Sequence, residues 1–253
     1  MNRPLNFAGI IPARYASSRF PGKPLALIGN KPMVRLVYEQ ASKALDNVFV
    51  ATDDERIYNA VAGFNGRVVM TSPDHRSGTD RCAEAAAKLN YKGVKADIII
   101  NIQGDEPFIK PEQIKLLKEC FTDESVQIAT LVRIVKPDED LSDINHPKVV
   151  LDKMGNAVYF SRSVIPFFRG DNFKSWSLRH NYFKHIGLYA YRLSVLEEIT
   201  KLPQSSLEIA ESLEQNRWIE NGYKIRTAVS EWESIGIDTP EDLEKARNLI
   251  GGM

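Results

Sequence analysis

The 253-residue chain carries 33 basic and 33 acidic residues, with 43% hydrophobic and 26% charged positions, the balance of an ordinary globular protein with a sizeable core. Zero net charge removes the electrostatic reason to expect a nucleic-acid or membrane-surface partner. No run approaches the roughly 20 apolar residues of a membrane helix, the apolar run of MNRPLNFAGII is too short for a signal peptide, and Cys82 and Cys120 lack C-x-x-C spacing or nearby histidines, which together predict a reducing, cytoplasmic setting.

Along the chain, short β-branched runs alternate with amphipathic segments, the pattern of parallel strands joined by helical crossovers. Strands are predicted at 7–11, 48–52, 67–70, 96–102 and 127–135, and helices at 31–44, 55–62, 79–89 and 111–120, with Pro32 in the first turn of the first helix. The run IIINI, Ile98 to Ile102, is apolar almost throughout, as a strand covered on both faces should be. After Lys136 the texture changes: PDEDLSDINHPK is a polar connection, and KVVLDKMGNAVYFSR reads as a hairpin turning at 153–156. A strand at 185–191, one helix over 207–221, a strand at 224–229 and a helix at 240–250 complete the chain. The expected fold class is α/β, a mostly parallel, Rossmann-like central sheet with helices on both faces. It forms a single domain over 1–253, from which 137–183 protrudes as a hairpin and connection.

Chemistry concentrates first in IIPARYASSRFPGKPL, residues 10–25. The first 38 residues hold Arg3, Arg14, Arg19, Lys23, Lys31 and Arg35 and no acid; Glu39 is the first. In open α/β sheets ligands settle at the carboxyl ends of strands, and Arg14, Arg19 and Lys23 follow the first strand there, with Gly22 allowing close backbone approach. That placement favours an anionic ligand over the alternative, a solvated loop whose cations meet only water. Neither G-x-x-x-x-G-K-[ST] nor G-x-G-x-x-G occurs, so the two common nucleotide fingerprints are excluded. Two aspartates stand at element ends: Asp105 in IIINIQGDEP and Asp238 in SIGIDTPEDL. Either supplies a carboxylate for a hard divalent ion, or Asp105 caps a turn and Asp238 assists a helix start.

Six runs, IPARYASSRFPGKPL, HRSGTDR, QGDEP, KHIGLYAY, SLEIAESLEQ and GIDTPED, occur in order between residues 10 and 242. Together they resemble the 3-deoxy-manno-octulosonate cytidylyltransferases, the CMP-Kdo synthetases. The resemblance implies a nucleotidyltransferase fold, CTP and Kdo as substrates, CMP-Kdo and diphosphate as products, Mg²⁺ as cofactor, a homodimer contacted through 137–183, and a role in lipopolysaccharide biosynthesis. It implies nucleotide contacts at Arg14, Arg19, Lys23, Ser77, Gly78, Arg81 and Gln103, with Arg14, Lys23, Asp105 and Asp238 catalytic and the two aspartates metal-binding. Gln103, Arg162, His185, Tyr189, Glu214 and Gln215 correspond to sugar-binding positions.

The residue types agree with that assignment. An acid sugar needs a cation for its carboxylate, which Arg162 offers, and amide, phenol and carboxylate groups for its hydroxyls. Glu214 interrupts an otherwise apolar face of Leu207, Ala210 and Trp218; taken alone it is a rim residue, and His185 alone a structural histidine. No protein general base stands out, His185 being a weak candidate. Departures from the family pattern are Ser18 in place of threonine, Asn216 and Trp218 after Gln215, and a long connection FFRGDNFKSWSLRHN. Rival activities are a cytidylyltransferase for another acidic sugar such as a sialic acid, a glycosyltransferase, which would want a D-x-D motif that only Asp138-Glu139-Asp140 approaches, and a non-catalytic nucleotide-binding module.

Overall fold

The computed structural model describes residues 3–16, 19–233 and 235–251, and the chain divides into two compact units. Ser17 and Ser18 of the basic loop, and with them the departure at Ser18, lie outside the described residues. The first unit opens with β1 (Phe7–Ala13), then β2 (Leu27–Ile28), β3 (Lys31–Pro32), α1 (Met33–Ala41), β4 (Val48–Thr52), α2 (Glu55–Gly63), β5 (Val68–Met70), α3 (Gly78–Tyr91) and β6 (Ile98–Asn101). Within α4 (Pro111–Cys120) the chain passes into the second unit, which contains β7 (Ile128–Ile134), β8 (Lys148–Leu151), β9 (Asn156–Ser161) and α5 (Trp176–Arg179). Strand β10 (Phe183–Arg192) leads back to α6 (Leu193–Ile199) in the first unit; α7 (Ser206–Glu211), α8 (Glu214–Glu220) and β11 (Ile225–Val229) belong to the second, and α9 (Pro240–Gly251) ends the chain in the first.

The first unit matches the expected α/β pattern. Its strands run in the order β5-β4-β1-β6, every pair parallel. All positions of β4 and β6 are buried, which requires cover on both faces, and α1, α2 and α3 pack against β4. Helix α1 starts two residues later than predicted. Lys31 and Pro32 instead pair with Leu27 and Ile28 in a two-stranded ribbon turned by Gly29 at φ 62°, so Pro32 precedes the helix rather than sitting in its first turn. Helix α9 is anchored by Ile237, Leu243 and Ala246 against Ile28 and Met33, all nearly inaccessible. Burying such side chains contributes about 1.5–3 kcal/mol for each large one, and this apolar seam holds the segment around residue 238 close to residues 20–33.

The second unit corrects two expectations. Its strands run β10-β7-β11-β9-β8, and β8 also pairs antiparallel with β10 through Val149 and Phe183, closing a five-stranded ring. Strands β7 and β11 are parallel, whereas β9 against β11 and β8 against β9 are antiparallel. The whole is therefore a mixed α/β fold, not a mostly parallel sheet, and the hairpin does not project: pairing both its strands satisfies backbone groups that a free edge would leave open. The hairpin and its turn match the expectation, with Gly155 at φ 78° and Asp152 Oδ1 accepting from the N–H groups of Met154 and Asn156, each at 2.8 Å. The single helix expected over 207–221 is two. Ser212 adopts φ 52° and ψ 46°, a left-handed conformation that stops α7, and Leu213 then precedes a new start at Glu214. Helix α6 has no counterpart among the predicted elements.

Candidate active site

Strand β1 ends at Ala13, and the basic loop turns back at Gly22, whose φ of 72° suits glycine and whose N–H donates to the Tyr15 carbonyl at 2.9 Å. Lys23 then opens a short 3₁₀ turn with its side chain only 14% exposed. Its Nζ donates to Asp105 Oδ2 at 2.7 Å and to Asp238 Oδ1 at 3.1 Å, and Arg19 Nη2 lies 3.1 Å from the same Asp238 oxygen. Four predicted residues from three separate stretches of the sequence thus meet at one point.

Local chemistry explains the meeting. A Cβ on Gly104 would fall 2.8 Å from the Pro12 carbonyl oxygen, so only glycine lets the turn bearing Asp105 rest against the end of β1. The Ile237 N–H donates to the Asp105 carbonyl at 2.9 Å, tying the two aspartate segments together. Thr239 Oγ1 accepts from the Asp242 N–H at 3.2 Å, and Asp242 Oδ2 accepts from the N–H groups of Thr239 and Asp238 at 3.2 and 3.3 Å. Thr239 therefore caps α9 with Asp242 as its reciprocal partner, and Asp238 points its carboxylate at the cations.

A cavity of about 280 Å³ surrounds this cluster, lined also by Arg14, Ser77, Gly78, Arg81 and Gln103, so every predicted nucleotide residue borders it. Ser77 caps α3, its Oγ accepting from the Asp80 N–H at 3.1 Å while Asp80 Oδ2 accepts from the Ser77 N–H at 3.2 Å. The 14-residue helix thus presents the positive end of its dipole beside the cavity. Arg81 is buried and oriented by its neighbours, donating to Thr71 Oγ1 at 2.6 Å and to Asp53 Oδ2 at 3.2 Å. Sequence reasoning passed over His75 and Arg76, which line the same cavity; their position in HRSGTDR, just before the cap of α3, was the available signal. His75 bonds Glu84. Burial works against ionisation there, yet donors from Lys88, Ser72 and His75 pull the Glu84 carboxyl down to about 2.

The predicted sugar residues other than Gln103 lie in the second unit. The His185 Nε2 is 3.0 Å from Thr130 Oγ1, and its ring packs edge-on against Phe160 and beside Tyr189, whose ring in turn meets Trp218. Burial lowers the His185 pKa to about 3 and, with the charge of Glu214 nearby, raises the Tyr189 phenol far above its usual value. His185 is therefore neutral at physiological pH and a poor base, while Tyr189 remains a hydroxyl. Glu214 accepts from Arg217 Nη2 at 2.9 Å, and Gln215 is buried. Arg162 is committed to backbone carbonyls, of Glu211 at 2.8 Å, Ile144 at 2.9 Å and Ser212 at 3.4 Å. The one acidic run resembling D-x-D is occupied elsewhere: Glu139 pairs with Arg133 and Lys184, and Asp140 accepts from Ser142.

The depressed His185 pKa has a testable sign. Its folded value lies below its unfolded value near 6.5, so the associated stability is complete above pH 6.5 and is lost as pH falls toward 3. Thermal melts should show a decline from pH 6.5 to 4 that His185→Gln flattens; an NMR titration placing the His185 midpoint near 6.5 would refute the assignment.

Comparison with known proteins agrees with this geometry. A family model described as cytidylyltransferase matches residues 8–225. A 3-deoxy-manno-octulosonate cytidylyltransferase of Parabacteroides distasonis is 61% identical over 96% of this chain and 97% of its own length. The protein of that name from Bacteroides thetaiotaomicron is 59% identical over 97% and 98%. A solved CMP:2-keto-3-deoxy-manno-octonic acid synthetase complexed with CTP superimposes with a TM-score of 0.89 at 43% identity, covering 98% of this chain and 99% of that one. The chain belongs to the cytidylyltransferase family, among the 3-deoxy-manno-octulosonate cytidylyltransferases.

Proposed function

We infer that the chain transfers the CMP group of CTP to Kdo, releasing diphosphate and supplying activated sugar for lipopolysaccharide assembly. The observation that carries this is the convergence of Arg19, Lys23, Asp105 and Asp238 in a chain of this family. The anomeric hydroxyl oxygen of Kdo forms a bond to the α-phosphorus, the bond from that phosphorus to the bridging oxygen breaks, and diphosphate leaves with its electron pair. Arg14, Arg19 and Lys23 neutralise the phosphates, and the N-terminus of α3 adds its dipole, so positioning and charge compensation supply most of the acceleration. The hydroxyl proton goes to solvent in this scheme, because His185 is too weak a base.

Asp105 and Asp238 already direct one oxygen each at a single cation, the Lys23 ammonium. Two carboxylates with room for phosphate and water oxygens is the donor set Mg²⁺ accepts. When bound there, Mg²⁺ would neutralise charge developing on the transferred and leaving phosphates. A homodimer is part of the same proposal, supported by the apolar exposure of Ile144, Phe167 and Leu178 (62, 75 and 68%) within 137–183; light scattering tests it. A reducing, cytoplasmic setting is likewise proposed, supported by the free thiols of Cys82 and Cys120.

The deciding experiment measures diphosphate release from CTP and Mg²⁺ with Kdo or N-acetylneuraminate. Turnover with Kdo is expected to exceed that with N-acetylneuraminate by orders of magnitude; the reverse preference overturns the substrate assignment.

A further inference from the structure

Glu211, the last residue of α7, lies in the SLEIAESLEQ run without an assigned role and gathers bonds from the end of β9. Its Oε1 accepts from Ser161 Oγ at 2.6 Å and from Tyr159 Oη at 3.2 Å, and its Oε2 accepts the Arg162 N–H at 2.9 Å. Arg162 answers from the other side, donating Nε to the Glu211 carbonyl at 2.8 Å and Nη2 to the Ser212 carbonyl at 3.4 Å. Strand end and helix end are thus clamped reciprocally. The bonds satisfy carbonyls that a terminating helix leaves open.

Immediately after this clamp the chain makes a turn that the local pattern does not predict. Apolar periodicity continues through 207–221 and favours one unbroken helix, yet Ser212 sits at φ 52°, a conformation disfavoured for any residue with a Cβ. Such a conformation persists only where its surroundings over-determine it, and the Glu211–Arg162 bonds are the surroundings in contact with it. The break re-aims the next turn, starting at Glu214. It leaves Gln215 only 5% exposed, with Nε2 lacking a hydrogen-bond partner among the described residues. A buried amide donor without a partner is suited to a hydroxyl-bearing ligand.

We propose that Glu211 is a positioning residue for the acidic sugar: by holding Ser161 and Arg162 it enforces the break at Ser212 and so places Glu214 and Gln215. The proposal rests on the assignment of those two residues to Kdo. A carboxylate suits this position because all three partners donate to it and the bonds are charge-assisted; an amide at 211 loses the charge and can accept on one side only, forcing the Ser161 and Tyr159 hydroxyls or the Arg162 N–H to re-pair.

Glu211→Gln and Ser161→Ala test this against wild type, with steady-state diphosphate release for both substrates, CTP binding by calorimetry and thermal melts. Glu211→Gln should raise the KM for Kdo about tenfold or more and Ser161→Ala about threefold, with CTP affinity and the KM for CTP within about twofold of wild type. The tenfold value corresponds to the loss of about one hydrogen bond to a charged group and the threefold value to the loss of part of one. In the Glu211→Gln background, Ser161→Ala should add less than it does alone. If Glu211→Gln melts below the assay temperature, Ser161→Ala carries the test by itself. An unchanged KM for Kdo, or equal rises in the KM of both substrates, overturns the positioning role. A wild-type protein that turns over no Kdo overturns the substrate assignment first, and this proposal with it.

Discussion

Lys23→Ala should reduce kcat by about 10²–10³-fold, the range seen when one charge-stabilising donor is removed from a preorganised site. The Lys23 side chain bonds both Asp105 and Asp238, and it does so from a position 14% exposed. Its loss removes a cation from the phosphate-binding edge and leaves two carboxylates facing each other, with Arg19 still paired to Asp238. The fold should survive. Asp105 and Asp238 are 30% and 45% exposed, so the ion pairs are solvent-screened and contribute about 0–1 kcal/mol. The packing of Ile28, Met33, Ile237 and Leu243 holds the segments together independently. The melting temperature should therefore move by no more than about 2–4 °C for a chain of this size. Near-normal turnover in the diphosphate assay would end the phosphate role of Lys23.

Asp105→Asn should be as damaging, and for a different reason. The substitution keeps shape and removes one negative charge, so the Lys23 ammonium keeps a weaker bond to an uncharged carbonyl oxygen while the site loses a ligand suited to a hard cation. The expected result is a fall in kcat of about 10²-fold or more at saturating CTP, as when a group stabilising the transition state is lost, with a shift to higher Mg²⁺ concentration for half-maximal rate. Asp238→Asn should act in the same direction. Mn²⁺ binding followed by electron paramagnetic resonance, with no sugar present, separates loss of metal from loss of chemistry. Unaltered Mn²⁺ affinity in both variants would remove the aspartates from the metal site.

Much of the first unit was legible from residue order. The predicted strand 48–52 and helix 111–120 coincide with β4 and α4, because burial on both faces and amphipathic periodicity each leave a pattern within a few residues. The loop cations and the helix start just after Asp238 were readable for the same reason: groups that act within one turn are neighbours in sequence. Motif resemblance supplied the sugar residues, which spacing alone left as structural alternatives.

Other features depended on partners far along the chain. Nothing near Ser212 announces a break, since the apolar repeat continues through it; the clamp from Ser161 and Arg162 supplies the opposing force. Nothing in KVVLDKMGNAVYFSR says that β8 will pair with β10 and close a ring rather than project. By itself, then, the sequence determined the kinds of element, the basic loop and the family, because periodicity, capping and motif are short-range. Only the tertiary structure decided that Lys23 bridges Asp105 and Asp238 and that Arg162 serves the backbone. Which distant groups meet is set by the joint burial of many side chains, and no single segment records that sum.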